Sequence, residues 1–190
     1  MRWDGLFDDL EAQWEAQARR ELDAEVADRT RRERAAIGLR ERLAAELEGE
    51  QGPHDGRGSG IRLSLVDGSG VIGRVDDVGD GWLLVGGSGG SSLVPFSALV
   101  AITGLSKFAA TTVGLSRSFG FGYALRGLSR DRALVHIVDR TGSTNTGTID
   151  VVGRDLLELS EHPADLARRP ENVTARRLVP FAAVAAVRLV

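Results

Sequence analysis

The strongest constraint on what this chain can fold into is an internal repeat. Leu93-Val94-Pro95-Phe96-Ser97-Ala98 returns as Leu178-Val179-Pro180-Phe181-Ala182-Ala183, each time closing a glycine-punctuated apolar segment. Upstream, Gly68, Ser69, Gly73, Asp76, Val78, Gly79 and Leu83 recur as Gly142, Ser143, Gly147, Asp150, Val152, Gly153 and Leu157, all shifted by 74 positions. A register held over so many positions marks a duplicated supersecondary unit, and a difference in length between copies belongs in a loop. Here the second copy has 18 residues from Ser160 to Arg177 where the first has seven from Gly86 to Ser92.

Each copy reads as short strands separated by turns. In the first, Ile61, Leu63 and Leu65 alternate with polar residues, Asp67-Gly68 makes a turn, and Val71, Gly73 and Val75 lead to a second turn at Val78-Gly79-Asp80-Gly81. Trp82 to Val85 follows as a third strand, Gly86 to Ser92 as a loose hairpin tip, Leu93-Val94 as a fourth strand before a proline-led turn, and Leu99 to Ile102 as a fifth. Five short strands suffice for a small, strongly curved barrel. The second copy repeats the order, and Pro163 to Pro170 in its long loop reads as one helical turn bounded by prolines.

Before the repeats, apolar residues at Trp3, Phe7, Leu10, Trp14, Ala18, Leu22 and Val26 fall in steps of three or four with no proline between Asp4 and Glu48. That spacing predicts a long amphipathic helix, and the fading of its stripe through Asp28 to Arg34 allows a bend or two helices. Two tryptophans on one face need cover from a barrel, a second copy or another protein. Trp3, Phe7, Leu10 and Trp14 are the candidate partner-docking residues. The expected organisation is an acidic helical region over 1–50, a Gly- and Pro-punctuated flexible linker over 51–60, a first barrel over 61–103, an inter-barrel segment with a short helix from about Tyr123 to Arg132 over 104–133, and a second barrel over 134–190. The fold class expected is mainly β, two tandem five-stranded SH3-like small barrels behind a long N-terminal helix.

Charge and composition narrow the function. The net charge of -3 divides unevenly: residues 1–50 hold 14 acidic and nine basic side chains, and the remainder 13 acidic and 15 basic. A near-neutral repeat region weighs against a dedicated nucleic-acid binder, whose affinity rests largely on phosphate neutralisation. An acidic helix weighs against anionic lipid surfaces. No apolar run reaches membrane-spanning length, the start lacks the basic and apolar stretches of a signal peptide, and cysteine is absent, so a cytoplasmic protein is expected. Only Lys107 is lysine among 24 basic residues, a skew of the kind that high-GC bacterial coding produces.

The order apolar-x-apolar, Asp-Gly, apolar-x-Gly-x-apolar, turn, apolar strand, variable loop and Val-Pro-x-x-Ala-Leu/Val resembles the Sm-like barrel family of RNA-binding proteins over Ile61 to Thr103 and Val135 to Val190. The helix-like segments Ala35 to Leu47 and Tyr123 to Arg132 are similar to the helix that precedes that barrel. The resemblance implies association edge to edge through the fourth and fifth strands, between the two repeats or between chains. It also implies RNA-contacting positions that this chain has changed. Where the family presents an aspartate and an asparagine beside a base, this chain has Gly79 with Leu83 and Gly153 with Leu157. Where bacterial members carry a lysine and a histidine, it has Phe96-Ser97 and Phe181-Ala182. A scaffold retained without its uridine pocket is the expectation.

Catalysis needs a positioned acid, base or nucleophile. His54 falls in the linker, His136 in a strand pointing outward and His162 in a loop, none beside a motif. Asp76, Asp77, Asp80, Asp150 and Asp155 read as turn chemistry rather than a calcium loop, and the Gly86 to Gly90 run lacks the Lys-Ser/Thr of a phosphate loop. No enzyme activity, metal or cofactor is expected. One stretch supports nucleic acid: Arg117, Phe119, Phe121 and Tyr123, followed by Arg126, Arg130 and Arg132, interleave rings with guanidinium groups. The competing expectation is that these rings pack the inter-barrel segment onto the two domains. Two functions follow, a non-catalytic assembly module using the helix and the barrel edges, or an RNA binder using Arg117 to Arg132.

Overall fold

The computed structural model describes residues 4–48, 60–105 and 119–189, with the side chains of Phe7 and Leu10 outside the description. The chain divides into two compact units, 1–38 and 39–190. The first contains α1, Asp4–Ala35, held along its length by pairs such as Arg29 with Glu33 at 3.0 Å and Gln17 with Glu21 at 3.2 Å. Residues one turn apart meet on a helix surface, and these exposed pairs contribute only a few tenths of a kcal/mol each, about 0.2–0.5. Of the two readings left open by the fading stripe, two helices is the one observed: the helix ends before Gly38, and α2, Leu39–Glu48, belongs to the second unit. There Leu43 and Ala44 are buried, and α2 lies against the second strand of the first repeat.

The second unit holds ten strands: β1 Ile61–Leu65, β2 Gly70–Val78, β3 Trp82–Gly87, β4 Gly90–Pro95, β5 Leu99–Thr103, β6 Leu134–Asp139, β7 Thr144–Val152, β8 Leu156–Glu161, β9 Ala175–Pro180 and β10 Val184–Leu189. A third helix, α3 (Phe121–Arg130), precedes β6 and packs on β7, as α2 packs on the equivalent β2. Five strands per repeat were expected and are present. The expected pair of closed barrels is not. All ten strands form one open antiparallel sheet in the order β5-β1-β2-β3-β4-β10-β6-β7-β8-β9. In each repeat the fourth and fifth strands stand at opposite ends of the five-strand order yet are joined by three residues, Phe96–Ala98 or Phe181–Ala183. That short link forces each set to curl. No ladder closes it, because the outer side of β4 is taken by β10.

The duplication extends to individual hydrogen bonds. Phe96 N–H donates to Gly81 O at 2.8 Å and Phe181 N–H to Asp155 O at 2.8 Å; Val66 N–H reaches Ala98 O at 3.0 Å, and Arg140 N–H reaches Ala183 O at 3.0 Å. The first turn in each copy carries a left-handed glycine, Gly68 at φ 81° and Gly142 at φ 86°. Gly73 and Gly147 have a different reason. They sit where the second and third strands cross most closely, and a Cβ there would lie 2.1 Å from Gly86 O or 2.0 Å from Ser160 O. Just beyond each glycine the ladder slips, between Val75 and Asp77 and between Ile149 and Val151, so Asp76 and Asp150 are bulge residues rather than turn residues.

Two further expectations change. Gly86 to Ser92 is no loose tip: Gly87 pairs with Gly90 around a tight Ser88-Gly89 turn. In the long loop of the second copy the helical turn is a 3-10 turn at Pro170–Asn172. Two apolar cores fill the sheet, one around Ile61, Leu63, Val75, Leu83 and Val94, the other around Leu125, Ile137, Ile149, Leu157 and Val179. Each buried aliphatic side chain contributes about 1.5–3 kcal/mol.

Candidate assembly interface

The junction between the repeats is a two-stranded ladder between β4 and β10, with Val187 opposite Leu93 and Arg188 opposite Ser92. It also exchanges side chains between the cores. Leu93, 2% exposed, enters the core of the second repeat, while Val138 and Ala186 enter that of the first. Backbone pairing and apolar burial therefore act together, and both repeats lie in one compact unit.

The same two kinds of strand occur a second time at the ends of the sheet, each with a ladder on one side only among the described residues. β9 repeats β4, and its Leu178, equivalent to Leu93, is 64% exposed; β5 repeats β10, and its Val100, equivalent to the fully buried Ala185, is 67% exposed. β9 carries Arg176-Arg177 where β4 has Ser91-Ser92. Arg177 is ion-paired with Glu161, a hydrogen bond that raises its pKa further. Arg176 lines a shallow hollow of about 280 Å³ with Arg168, Pro170, Val173 and Ala175.

Behind β9 the long loop is fastened by polar contacts. Asp150 Oδ2 accepts from Ser160 Oγ at 2.6 Å and from Arg168 Nη2 at 2.5 Å. Burial alone would raise the Asp150 pKa, but the bonds from Arg168 and Ser160 outweigh it and hold the carboxyl below its ordinary value. His162 is buried; its Nδ1 faces Pro163 O at 2.9 Å and its Nε2 faces Thr148 Oγ1 at 2.9 Å. A carbonyl only accepts, so Nδ1 carries a proton in this arrangement. His136, expected to point outward, is half-buried with Nδ1 2.7 Å from Thr146 Oγ1. His54 lies outside the described residues. Among the described residues no group of three or more His, Asp or Glu side chains is placed to hold a metal ion.

The basic-aromatic stretch divides in two. Phe121 packs edge-on against Phe181 in the second core, at 5.6 Å between centroids. Phe119 and Tyr123 instead stack on each other in solvent at 4.2 Å, and Arg126 and Arg130 continue the exposed face of α3. Phe119 is fixed through its carbonyl, which accepts from Trp82 Nε1 at 2.8 Å and from Asp80 N–H at 2.9 Å. Arg132, just beyond the helix at φ 50°, is also exposed. Arg117 lies outside the described residues. Leu83 and Leu157, at positions the resemblance assigns to base contact, are fully buried.

Of the helical docking residues, Trp3 lies outside the described residues, and so do the side chains of Phe7 and Leu10. Trp14 is 81% exposed, and Leu22 and Val26 on α1 are exposed as well. The residues that sequence reasoning missed are Val100 and Leu178. Their signal was the inequality of the copies, Val100 against Ala185 and Arg177 against Ser92. Among the described residues no helix is long and apolar enough to cross a membrane. Comparison with family models, with characterised proteins and with solved structures finds no match.

Proposed function

We propose that this chain is a non-catalytic assembly module of the cytoplasm, in which two Sm-like repeats form a rigid body and α1 is a docking arm for a protein partner or a second copy. Support for the Sm-like reading comes from the order fifth-first-second-third-fourth within each repeat, the helix before each first strand and the Val-Pro turn before each fifth strand. The observation that carries the assembly reading is Trp14. A tryptophan held in solvent on a helix that also exposes Leu22 and Val26 is a ready interface anchor, since large aromatics dominate interface energetics. Crosslinked affinity purification from the native cell, with and without nuclease, tests it together with mass by light scattering. Wild type should retain a nuclease-resistant protein partner or a second copy, and Trp14→Ala with Leu22→Ala should lose it. Unchanged recovery and unchanged mass would sink the reading.

The stacked Phe119 and Tyr123 beside Arg126 and Arg130 favour a second reading, RNA binding through bases stacked on the rings and phosphates met by arginine. Such binding should fall steeply with salt and be lost in Tyr123→Ala with Arg126→Ala. No affinity for single-stranded RNA at low salt would dismiss it.

A further inference from the structure

The longer loop of the second copy builds something that the first copy lacks. Where the first copy turns tightly through Ser88-Gly89, the chain after β8 leaves the sheet and returns through a loop held in shape by its own bonds. Asn172 Nδ2 donates to Ala167 O at 2.8 Å, Asn172 N–H to Arg169 O at 2.9 Å, and Thr174 N–H to Glu161 O at 2.9 Å. The loop is also fastened twice to β7, by Arg168 on Asp150 and by His162 against Thr148. A loop ordered by such contacts on a rigid sheet holds its side chains ready for a ligand. What it shapes is the hollow of about 280 Å³ whose wall is Arg168, Pro170, Val173, Ala175 and Arg176.

Two arginines line this hollow and no acidic residue does. Asp150, outside the lining, offsets one of the two charges and leaves a single positive charge at the wall. Arg168 is held but not saturated: it gives Nη2 to Asp150, while its Nε is buried without a hydrogen-bond partner. Arg176 is exposed, and the first copy has Ser91 in its place. The rest of the wall is apolar. We propose that the hollow is a binding site for one carboxylate carried on a small apolar body, the carboxylate shared by Arg168 and Arg176 and the body laid on Pro170, Val173 and Ala175. Guanidinium forks match the planar geometry of a carboxylate, and a monoanion matches the single uncompensated charge. A phosphate monoester would bring about -1.5 to -2 charges and nothing for the apolar wall. The volume of about 280 Å³ equals about nine waters at about 30 Å³ each, room for a phenyl or leucyl group with its carboxylate. A free small acid and the last residue of a peptide both present that chemistry. The site goes beyond the assembly reading and does not depend on it.

The test is a titration of the isotope-labelled full-length protein at constant ionic strength, with the arginine Nε–H and backbone amide signals followed by NMR. The probes are phenylacetate, the peptide acetyl-Gly-Gly-Leu as its free acid and as its amide, and inorganic phosphate. Both carboxylates should shift the Arg168 and Arg176 side-chain signals saturably, together with the amides of Val173 and Ala175. The peptide amide should leave them in place, and phosphate should bind more weakly than either acid. Whichever acid binds more tightly identifies the source, a free small acid or a chain terminus. Arg176→Gln, with circular dichroism to verify folding, should raise the dissociation constant roughly tenfold or more, and Arg176→Lys should recover only part of the loss because an ammonium group lacks the fork. Arg168 is kept in these variants because it fastens the loop. Shifts that never saturate, that spread equally over the other exposed arginines, or that persist in Arg176→Gln would overturn the proposal. So would a response to the peptide amide equal to that of the acid, or tighter binding of phosphate than of either carboxylate.

Discussion

β4 and β9 share Leu-Val-Pro and occupy the same place in their repeats, yet Leu93 is buried and Leu178 stands in solvent. Burial of a strand residue is therefore decided by the neighbour as much as by the strand. The copies have diverged accordingly. β4 keeps small serines beside β10, whereas β9 carries arginines and is backed by a loop fastened through Asp150, Ser160 and Arg168. Charge on an exposed edge limits indiscriminate pairing while leaving room for a matched partner.

The comparison breaks or sharpens with six substitutions. Leu93→Asp, which places an unpaired carboxylate in the junction, should cost more than about 4 kcal/mol or prevent folding. Urea unfolding of a variant within 1 kcal/mol of wild type would mean that the junction does not hold the repeats together. Next come Gly73→Ala and Gly147→Ala. A methyl group there meets backbone oxygen in either repeat, so each should cost about 1–3 kcal/mol, and equally, whichever edge lies nearby. A clear inequality would show that one copy bends for another reason.

Asp150→Asn should cost about 1–3 kcal/mol, because it weakens charge-assisted bonds that serve only the second copy. The sign with pH follows from the lowered folded pKa: the stabilisation is full above the unfolded value near 3.8 and is lost as pH falls through the lower folded value. Wild type should thus lose stability more steeply than the variant below about pH 4, as acid titration of the unfolding free energy will measure. Asp76→Asn, at the equivalent bulge where Arg74 is the neighbour, should show a smaller effect. The smallest effect is expected from Leu178→Asp, within about 0.5 kcal/mol for the monomer. A loss matching that of Leu93→Asp would mean that β9 is covered in solution.

Much of the fold was legible because the repeat reported it twice. The strands, the Val-Pro turns, the glycines at 73 and 147 and the helices before each repeat all leave local marks: period-two alternation, turn residues, or a side chain too large to fit. The pairing of β4 with β10 left no mark in the local pattern; only the resemblance offered it, as fourth strand to fifth between the repeats or between chains, and the first of those is observed. A ladder between segments far apart in sequence leaves no local pattern, and Leu93 with Val187 looks the same whether it faces its own repeat or a neighbour. The loop after β8 misled for a related reason. Its prolines suggested a helical turn one segment early, since nothing nearby announces that Arg168 crosses to Asp150. The basic-aromatic stretch was half legible: alternation cannot say that Phe121 turns inward to Phe181 while Phe119 and Tyr123 remain outside.

The junction also has a timetable. β4 is complete at Pro95, but its partner β10 begins only at Val184. At synthesis rates of about 5–20 residues per second, the first repeat waits roughly 4 to 18 seconds with Leu93 and a row of backbone groups uncovered. During that interval a β10 from a neighbouring nascent chain would compete for the site, and its capture would give an exchanged dimer held by the same ladder. Slower translation of residues 104–183 should therefore raise the share of exchanged dimers, a dependence on ribosome speed that the finished fold conceals.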